Sequence, residues 1–208
     1  VPAAPRSEPA PGVPRNVKST YFVLLTSDYY NVFSKESYSC IRKILSCGHE
    51  IGLHFDEVRY PELEGNIEMI KEKIMEECEI LGHAIGGAVT TVSMHRPSKM
   101  MLEANLEIPG IVNSYGFDFY KGFKYLSDSR RRWRESVDEI IESAEYKRLH
   151  ILTHAFWYHE QELNMQDSLL SFINAGNTKR FSIMNENFTR LEDEINVNQV
   201  LRRQVDGD

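Results

Sequence analysis

The chain alternates between two hydrophobic patterns. Apolar and β-branched runs typical of buried strands occupy residues 19–25, 49–54, 88–94 and 149–153, with shorter candidates at 111–112 and 124–126. Apolar positions at helical spacing predict helices over residues 38–45, 62–81 and 135–144, and the region after Glu160 also has a helical pattern. Gly48 and Gly82 are the predicted ends of the first two helices. Because strands alternate with helices, we expect an α/β fold built from parallel βαβ units.

The first residues have a different composition. Residues 1–15 hold five of the eight prolines and almost no residue that a core could bury. Such a segment cannot offset the entropy lost on ordering. It predicts a disordered Pro/Ala-rich arm, or a segment foreign to the native chain, followed by a single domain over residues 16–208.

Charge and cysteine content narrow the class of protein. The 208 residues include 24 Lys and Arg against 31 Asp and Glu, a formal charge of −7, which argues against a nucleic-acid partner. No apolar run is long enough to cross a bilayer and no leader pattern is visible, so we expect no transmembrane segment and a cytoplasmic location. Three cysteines are too few and too sparse for a disulfide scaffold, which also favours a reducing compartment. The oligomeric state stays open.

Polar residues with catalytic potential follow several of the predicted strands. In parallel α/β folds the chemistry collects at the carboxyl ends of the strands. The side chains just past these ends include three histidines, an arginine and two aspartates, namely His54, Asp56, His95, Arg96, Asp128 and His154. Random placement would scatter them, so this convergence predicts a site.

One tempting motif fails on spacing. His49, Glu50 and His54 resemble the helical zinc-protease pattern, but that pattern needs histidines four residues apart. On a strand, residues five apart point to opposite faces, so only one of these histidines can enter a site. His54 lies at the strand end and can chelate a metal together with Asp56. The alternatives are that His54 is a hydrogen-bonded structural histidine and that Asp56 caps a helix or turn.

The next strand end offers a second candidate group. Pro97 stops the strand after residue 94 and holds His95 and Arg96 at its rim. A neutral His95 can bind a metal, and Arg96 can orient a carboxylate or another anion. The alternative is a surface turn with a solvated arginine.

Aromatic and basic residues follow the remaining candidates, Asp128 and His154, in the sequence. His154 precedes three aromatic residues, including Trp157, whose faces suit sugar rings beside a general acid. The alternative is a core histidine packed by aromatics. The run at residues 129–134, which contains Trp133 and four arginines, is either a solvated loop or a grip for a phosphate or an acidic sugar.

Five segments of the sequence, taken in order, resemble the conserved segments of one known family. Residues 19–23, 48–54, 95–97, 127–133 and 152–157 are similar to the polysaccharide deacetylases with the NodB homology domain, carbohydrate esterase family four. The likeness is greatest to a divergent branch associated with bacterial surface-polysaccharide gene clusters. It covers residues 18–158. It implies an irregular (β/α)7 barrel and a divalent metal, commonly zinc, in a rim site.

The resemblance assigns metal ligands residue by residue. His54 matches the first histidine of the metal-binding motif, whereas the second histidine of that motif would fall at Val58. His95 or Asp56 would fill the vacant position, and His95 is favoured because it lies beside the matched Arg96.

The remaining roles follow from the same comparison. Asp128 matches the aspartate that holds the arginine, here Arg96, and Trp133 is its aromatic companion. His154 matches the general acid. Trp157 and Trp133 would line the sugar site.

The family's first strand has no counterpart in this sequence. That strand carries an aspartate pair, which supplies the catalytic base and one metal ligand, ahead of the segment matched by residues 19–23. Here the Pro/Ala-rich arm stands in its place. Either the barrel lacks its first strand or the strand lies outside the given sequence.

The function implied is that of a metal-dependent hydrolase. It would remove an N-acetyl group from a sugar of a surface polysaccharide or its precursor. One alternative is a catalytically silent NodB-like domain that binds a glycan or a protein partner, which the missing aspartate pair and Val58 favour. A further alternative is a metal-dependent amidohydrolase acting on a non-sugar amide.

Overall fold

A computed structural model describes residues 17–201. The predicted arm over residues 1–15 lies outside the described residues. The described chain divides into two compact units, residues 17–154 and residues 155–201. No helix within residues 17–201 has the length and apolar character needed to span a membrane.

The strands of the first unit form two sheets with parallel pairing throughout. A four-stranded sheet has the order β1-β2-β3-β4, and β5 pairs with β6 separately. The strands are β1 (Thr20–Val23), β2 (Glu50–Phe55), β3 (Thr91–Met94), β4 (Val112–Asn113), β5 (Lys124–Ser127) and β6 (Leu149–Leu152). The prediction of an α/β fold with parallel strands is therefore confirmed.

Helices follow most of these strands. Those of the first unit are α1 (Lys35–Ser46), α2 (Ile67–Ile85), α3 (Lys99–Glu103), α4 (Phe117–Gly122) and α5 (Val137–Ser143). Short 3-10 turns cover Glu57–Arg59, Pro61–Leu63 and Ser129–Arg131. The second unit contains a 3-10 turn at Ala155–Trp157 and the helices α6 (Met165–Asn187), α7 (Leu191–Glu194) and α8 (Val197–Val200).

Side-chain caps decide where the first two helices begin. The Ser34 hydroxyl accepts a hydrogen bond from the backbone of Ser37 at the start of α1, and the Asn66 side chain accepts one from Met69 at the start of α2. α2 therefore starts at Ile67, later than the periodicity from residue 62 predicts.

The predicted end of α2 at Gly82 is wrong. The helix continues to Ile85 and ends at Gly86, whose φ of 72° is the left-handed conformation that favours glycine. A Cβ at Gly82 would lie 2.9 Å from the carbonyl oxygen of Gly87. Gly82 thus allows the chain after the helix to return close to it.

The main core lies on one face of β2. Ile51, Leu53 and Phe55 alternate along the strand and are at most 2% exposed. They share a cluster with apolar residues of α1 and α2, and both helices contact β2 and each other. The residues between them, Gly52 and His54, consequently face the opposite side of the sheet.

Close packing surrounds Gly52 on that second face. Gly52 lies opposite Phe22 of β1, and a Cβ there would lie 2.7 Å from the Phe22 ring and 2.5 Å from the Thr91 hydroxyl oxygen. No side chain fits without displacing these neighbours. The small residue therefore allows three strands to pack closely beside His54.

We expect Gly52→Ala to destabilise the protein by about 1–3 kcal/mol through overpacking. Gly122→Ala is the matched control, since a Cβ there meets no atom within 4 Å. Urea unfolding measures both. Equal midpoints for the wild type and Gly52→Ala would contradict the packing described.

Candidate functional site

Strand pairing brings His54 and His95 side by side. His54 lies opposite Ser93 in the β2–β3 register, and the His95 N–H donates to the Phe55 carbonyl at 2.7 Å, extending the ladder past β3. Because side chains alternate along a strand, both imidazoles lie on the face opposite Leu53. Their rings meet edge to face, and His54 Nε2 is 3.1 Å from His95 Nδ1.

The second sheet supplies an aspartate–histidine pair. Asp128 follows β5, and its N–H donates to the Leu152 carbonyl of β6 at 3.3 Å. Its carboxylate is buried and accepts the His154 backbone N–H with both oxygens, at 3.0 and 3.1 Å. Asp128 Oδ1 is also 2.5 Å from His154 Nδ1. His154 Nε2 is therefore the nitrogen left for a ligand, on a side chain that is 45% exposed.

Burial and neighbouring charge both act on the pKa values of the facing pair. Burial lowers the pKa of His54 to about 4, and charge on His95 and His154 adds to this shift. Burial also lowers the pKa of His95, and His154 again contributes. Both rings of the facing pair are consequently neutral at pH 7, so each has one ring nitrogen with a lone pair.

A chain of hydrogen bonds sets the tautomers of the facing pair. Arg96 Nε donates to His95 Nε2 at 3.0 Å, and an arginine can only donate. A neutral His95 then carries its proton on Nδ1 and donates it to His54 Nε2. The His54 proton then lies on Nδ1, which is buried. The Ser93 backbone raises the pKa of His54 and so opposes the effect of burial.

The nitrogens of the facing pair are about as far apart as two ligands of one divalent metal. Two nitrogens bound to one tetrahedral zinc at about 2.0–2.1 Å are roughly 3.3 Å apart, close to the 3.1 Å separating His54 Nε2 from His95 Nδ1. With both lone pairs on a cation, the His95 proton must move to Nε2 and Arg96 must turn away. Within residues 17–201, no three His, Cys, Asp or Glu side chains form a metal-holding group.

Asp56 lies near this pair but is engaged elsewhere. Its Oδ1 accepts the Val58 N–H at 3.3 Å and so caps the following 3-10 turn, the alternative considered for it. Its charge opposes the lowering of the His95 pKa, which places the carboxylate in the neighbourhood of that ring. Val58, at the position of the family's second histidine, is 69% exposed.

The remaining predicted residues lie in different parts of the chain. Asp128, which the resemblance assigns to Arg96, binds His154. Trp133 belongs to the loop after β5 and is 37% exposed. Trp157 lies in the second unit, where its ring packs edge-on against Phe156.

A contact that sequence reasoning missed joins the two loops of the facing pair. The Glu57 carboxylate accepts hydrogen bonds from the Ser98 backbone N–H and, at 3.1 Å, from its hydroxyl. Ser98 also caps α3 by accepting the Met101 N–H at 3.2 Å. The loop after β2 is thereby tied to the loop after β3. A proline–serine pair is a helix-start signal, but nothing local predicts a partner 41 residues away.

A second contact that the sequence does not predict anchors the loop after β2 to α2. The Tyr60 hydroxyl donates to Glu77 of α2, whose side chain is buried. Burial raises the pKa of Glu77, although the hydrogen bond from Tyr60 opposes this. Tyr60 also stacks on Phe55, so the segment after His54 is held on two sides.

No family model matches this chain, and no curated protein is similar to it in sequence. The geometry itself defines a neutral, facing histidine pair at the carboxyl ends of parallel strands. The second sheet carries a histidine held by an aspartate, and charge on that histidine contributes to the lowered pKa values of the facing pair. In proteins generally, neutral imidazoles are common metal ligands, and imidazoles held by a carboxylate are common proton donors.

The low pKa of His54 makes stability depend on pH. In the unfolded chain the ring takes up a proton near pH 6.5, whereas in the folded chain it does so near pH 4. Its contribution is therefore full above pH 6.5 and is lost as the pH falls to 4, by at most about 3 kcal/mol. We expect His54→Gln to flatten the pH dependence of the unfolding free energy across this window, measured by urea unfolding with a chelator present.

The matched control is His83→Gln, which removes an exposed histidine of α2. This variant should keep the wild-type slope. Parallel curves for His54→Gln and the wild type between pH 6.5 and 4 would show that His54 is not a buried neutral ring.

Proposed function

We propose that this chain is a metal-dependent hydrolase of the polysaccharide deacetylase class, with an irregular (β/α)7 barrel of the NodB type. It removes an N-acetyl group from a sugar of a surface polysaccharide or its precursor. The observation that carries the proposal is the facing pair of His54 and His95. The Asp128–His154 pair adds to it, because charge on His154 contributes to lowering the pKa of His54.

His54 and His95 are the residues that would hold the metal. Imidazole nitrogen suits zinc, and both rings are neutral at physiological pH because burial disfavours their protonation. A divalent ion supplies, when bound, a Lewis acid that polarises an acyl carbonyl and activates water. The Glu57–Ser98 contact supports the geometry by holding the two ligand loops together.

His154 is the proposed general acid. Asp128 fixes the ring through Nδ1 and balances the charge of the imidazolium, so Nε2–H can donate to the leaving nitrogen. The reaction adds water across the C–N bond: the hydroxyl joins the acetyl carbon, the C–N bond breaks, and the amine takes its proton from His154. The proton that the water loses restores His154 to its protonated form. The products are acetate and a free amino sugar.

Arg96 and Trp133 are assigned to substrate positioning. Arg96 donates to His95 in the metal-free arrangement, and once turned away its guanidinium can orient the acetyl group or a sugar substituent. Trp133 offers an exposed aromatic face to the apolar side of a sugar ring, in the loop that begins at Asp128.

A second candidate is a silent domain that binds a glycan or a protein partner. Two contacts favour it. Arg96 occupies His95 Nε2, and Asp56 is used as a turn cap. If both persist in solution with metal present, the site lacks the ligand set of an active deacetylase.

The test combines metal loading with turnover. After zinc loading and dialysis, we expect about one ion per wild-type chain by elemental analysis, and acetate release from N-acetylated oligosaccharides. His54→Ala should lose affinity by more than the roughly 10–100-fold typical of a supporting residue, and acetate release with it.

His83→Ala, the exposed histidine of α2, controls for a general histidine effect and should behave as the wild type. Stoichiometric metal retained by His54→Ala would refute the role of His54. Metal binding without acetate release would favour the silent domain, and turnover of simple amides alone would favour an amidohydrolase.

A further inference from the structure

A dense group of arginines follows Asp128. The arginine loop, residues 129–134, contains four arginines in six residues, although the whole chain carries a formal charge of −7. Arg131 is half-buried, and the other arginines of the loop are exposed. Positive charge concentrated in one loop of an acidic protein makes that loop a candidate binding site for an anion.

Within residues 17–201, none of these arginines forms an ion pair. The acidic residue that follows the loop, Glu135, is paired with Lys124 instead, at 2.6 Å. Lysines of α2 are likewise paired with neighbouring glutamates. The positive charge of the arginine loop is therefore not neutralised by the surrounding fold.

The backbone of the loop is fixed in a disfavoured conformation. Arg130 and Arg131 have φ values of 58° and 59°, the left-handed region that residues with a Cβ seldom adopt. The Ser129 N–H donates to the Ser127 hydroxyl at 3.2 Å, and the Arg132 N–H donates to the Ser129 carbonyl at 3.2 Å. Two consecutive strained residues that glycine would relieve are typical of positions where function selects the side chain.

The loop lies beside the proposed general acid. Arg130 is two residues after Asp128, so their Cα atoms are at most about 7.6 Å apart. Asp128 in turn holds His154 through its backbone and its ring. A sugar unit next to the one served by His154 is therefore within reach of a guanidinium.

We propose that the arginine loop binds, through Arg130 and Arg131, an anionic group, a carboxylate or a phosphate, on the sugar adjacent to the N-acetylated unit. The substrate class is then an anionic acetamido-sugar chain. The inference rests on the proposed function, because it takes a sugar as the ligand. Guanidinium groups bind carboxylate and phosphate oxygens through paired hydrogen bonds. The negative charge of the rest of the chain disfavours other binding modes for such a polymer.

Two oligosaccharides that both carry N-acetylglucosamine separate charge from acetyl recognition. A hyaluronan tetrasaccharide alternates that sugar with glucuronate, whereas chitotetraose is neutral. By calorimetry we expect the hyaluronan fragment to bind about 10- to 100-fold more tightly. Binding of N-acetylglucosamine 1-phosphate is compared with binding of N-acetylglucosamine. This comparison distinguishes recognition of a phosphate from recognition of a carboxylate.

The variant Arg130→Gly/Arg131→Gly removes two charges and relieves the left-handed strain, so its melting temperature should be unchanged or higher. It should bind both tetrasaccharides equally. Arg42→Gln, an exposed arginine of α1, is the matched charge control and should keep the wild-type preference.

The possible outcomes distinguish a failure of this inference from a failure of the proposed deacetylase function. Preference for an anionic ligand, lost only in the glycine variant, supports the inference. Equal binding of charged and neutral ligands by the wild type overturns it and leaves the proposed function standing. A preference that survives in the glycine variant overturns the assignment to these arginines. Binding of none of the ligands overturns the inference and also weighs against the proposed function.

Discussion

The site depends on the register between two parallel strands. Because β2 and β3 pair with His54 opposite Ser93, the residue two positions on, His95, comes to the same face and meets His54. A shift of one residue would turn the second imidazole toward the core face and destroy the pair. Gly52 and the Glu57–Ser98 contact both act on this register, one by allowing close strand packing and the other by tying the ends.

Bringing the rings together has an electrostatic consequence. Two imidazoles in a desolvated contact resist protonation, since burial and mutual repulsion both disfavour charge. Each neutral ring keeps one lone pair: that of His95 accepts the hydrogen bond from Arg96, and that of His54 accepts the one from His95. Asp128 instead holds His154 in place, through its backbone N–H and through Nδ1 of its ring. The ends of the two sheets thus hold their histidines in different ways.

Much of the fold follows from local patterns. The apolar runs predict the strands β1, β2, β3 and β6, and their parallel pairing follows from the alternation with helices. Gly82 misleads because a glycine that admits a close backbone and one that ends a helix look alike in sequence. The helices α3 and α4, at most six residues long, are too short for a detectable periodicity; Ser98 caps the start of α3, whereas no side chain caps α4. The strand-end rule selects His54, His95, Asp128 and His154, but their pairing depends on register, which a sequence pattern does not specify.

The most direct test of the facing pair is nitrogen-15 NMR of the histidine rings during a zinc titration. The account predicts that signals of His54 Nε2 and His95 Nδ1 shift together and saturate at one ion per chain. Perturbation of a single ring, or of neither, would show that the two imidazoles do not share a ligand.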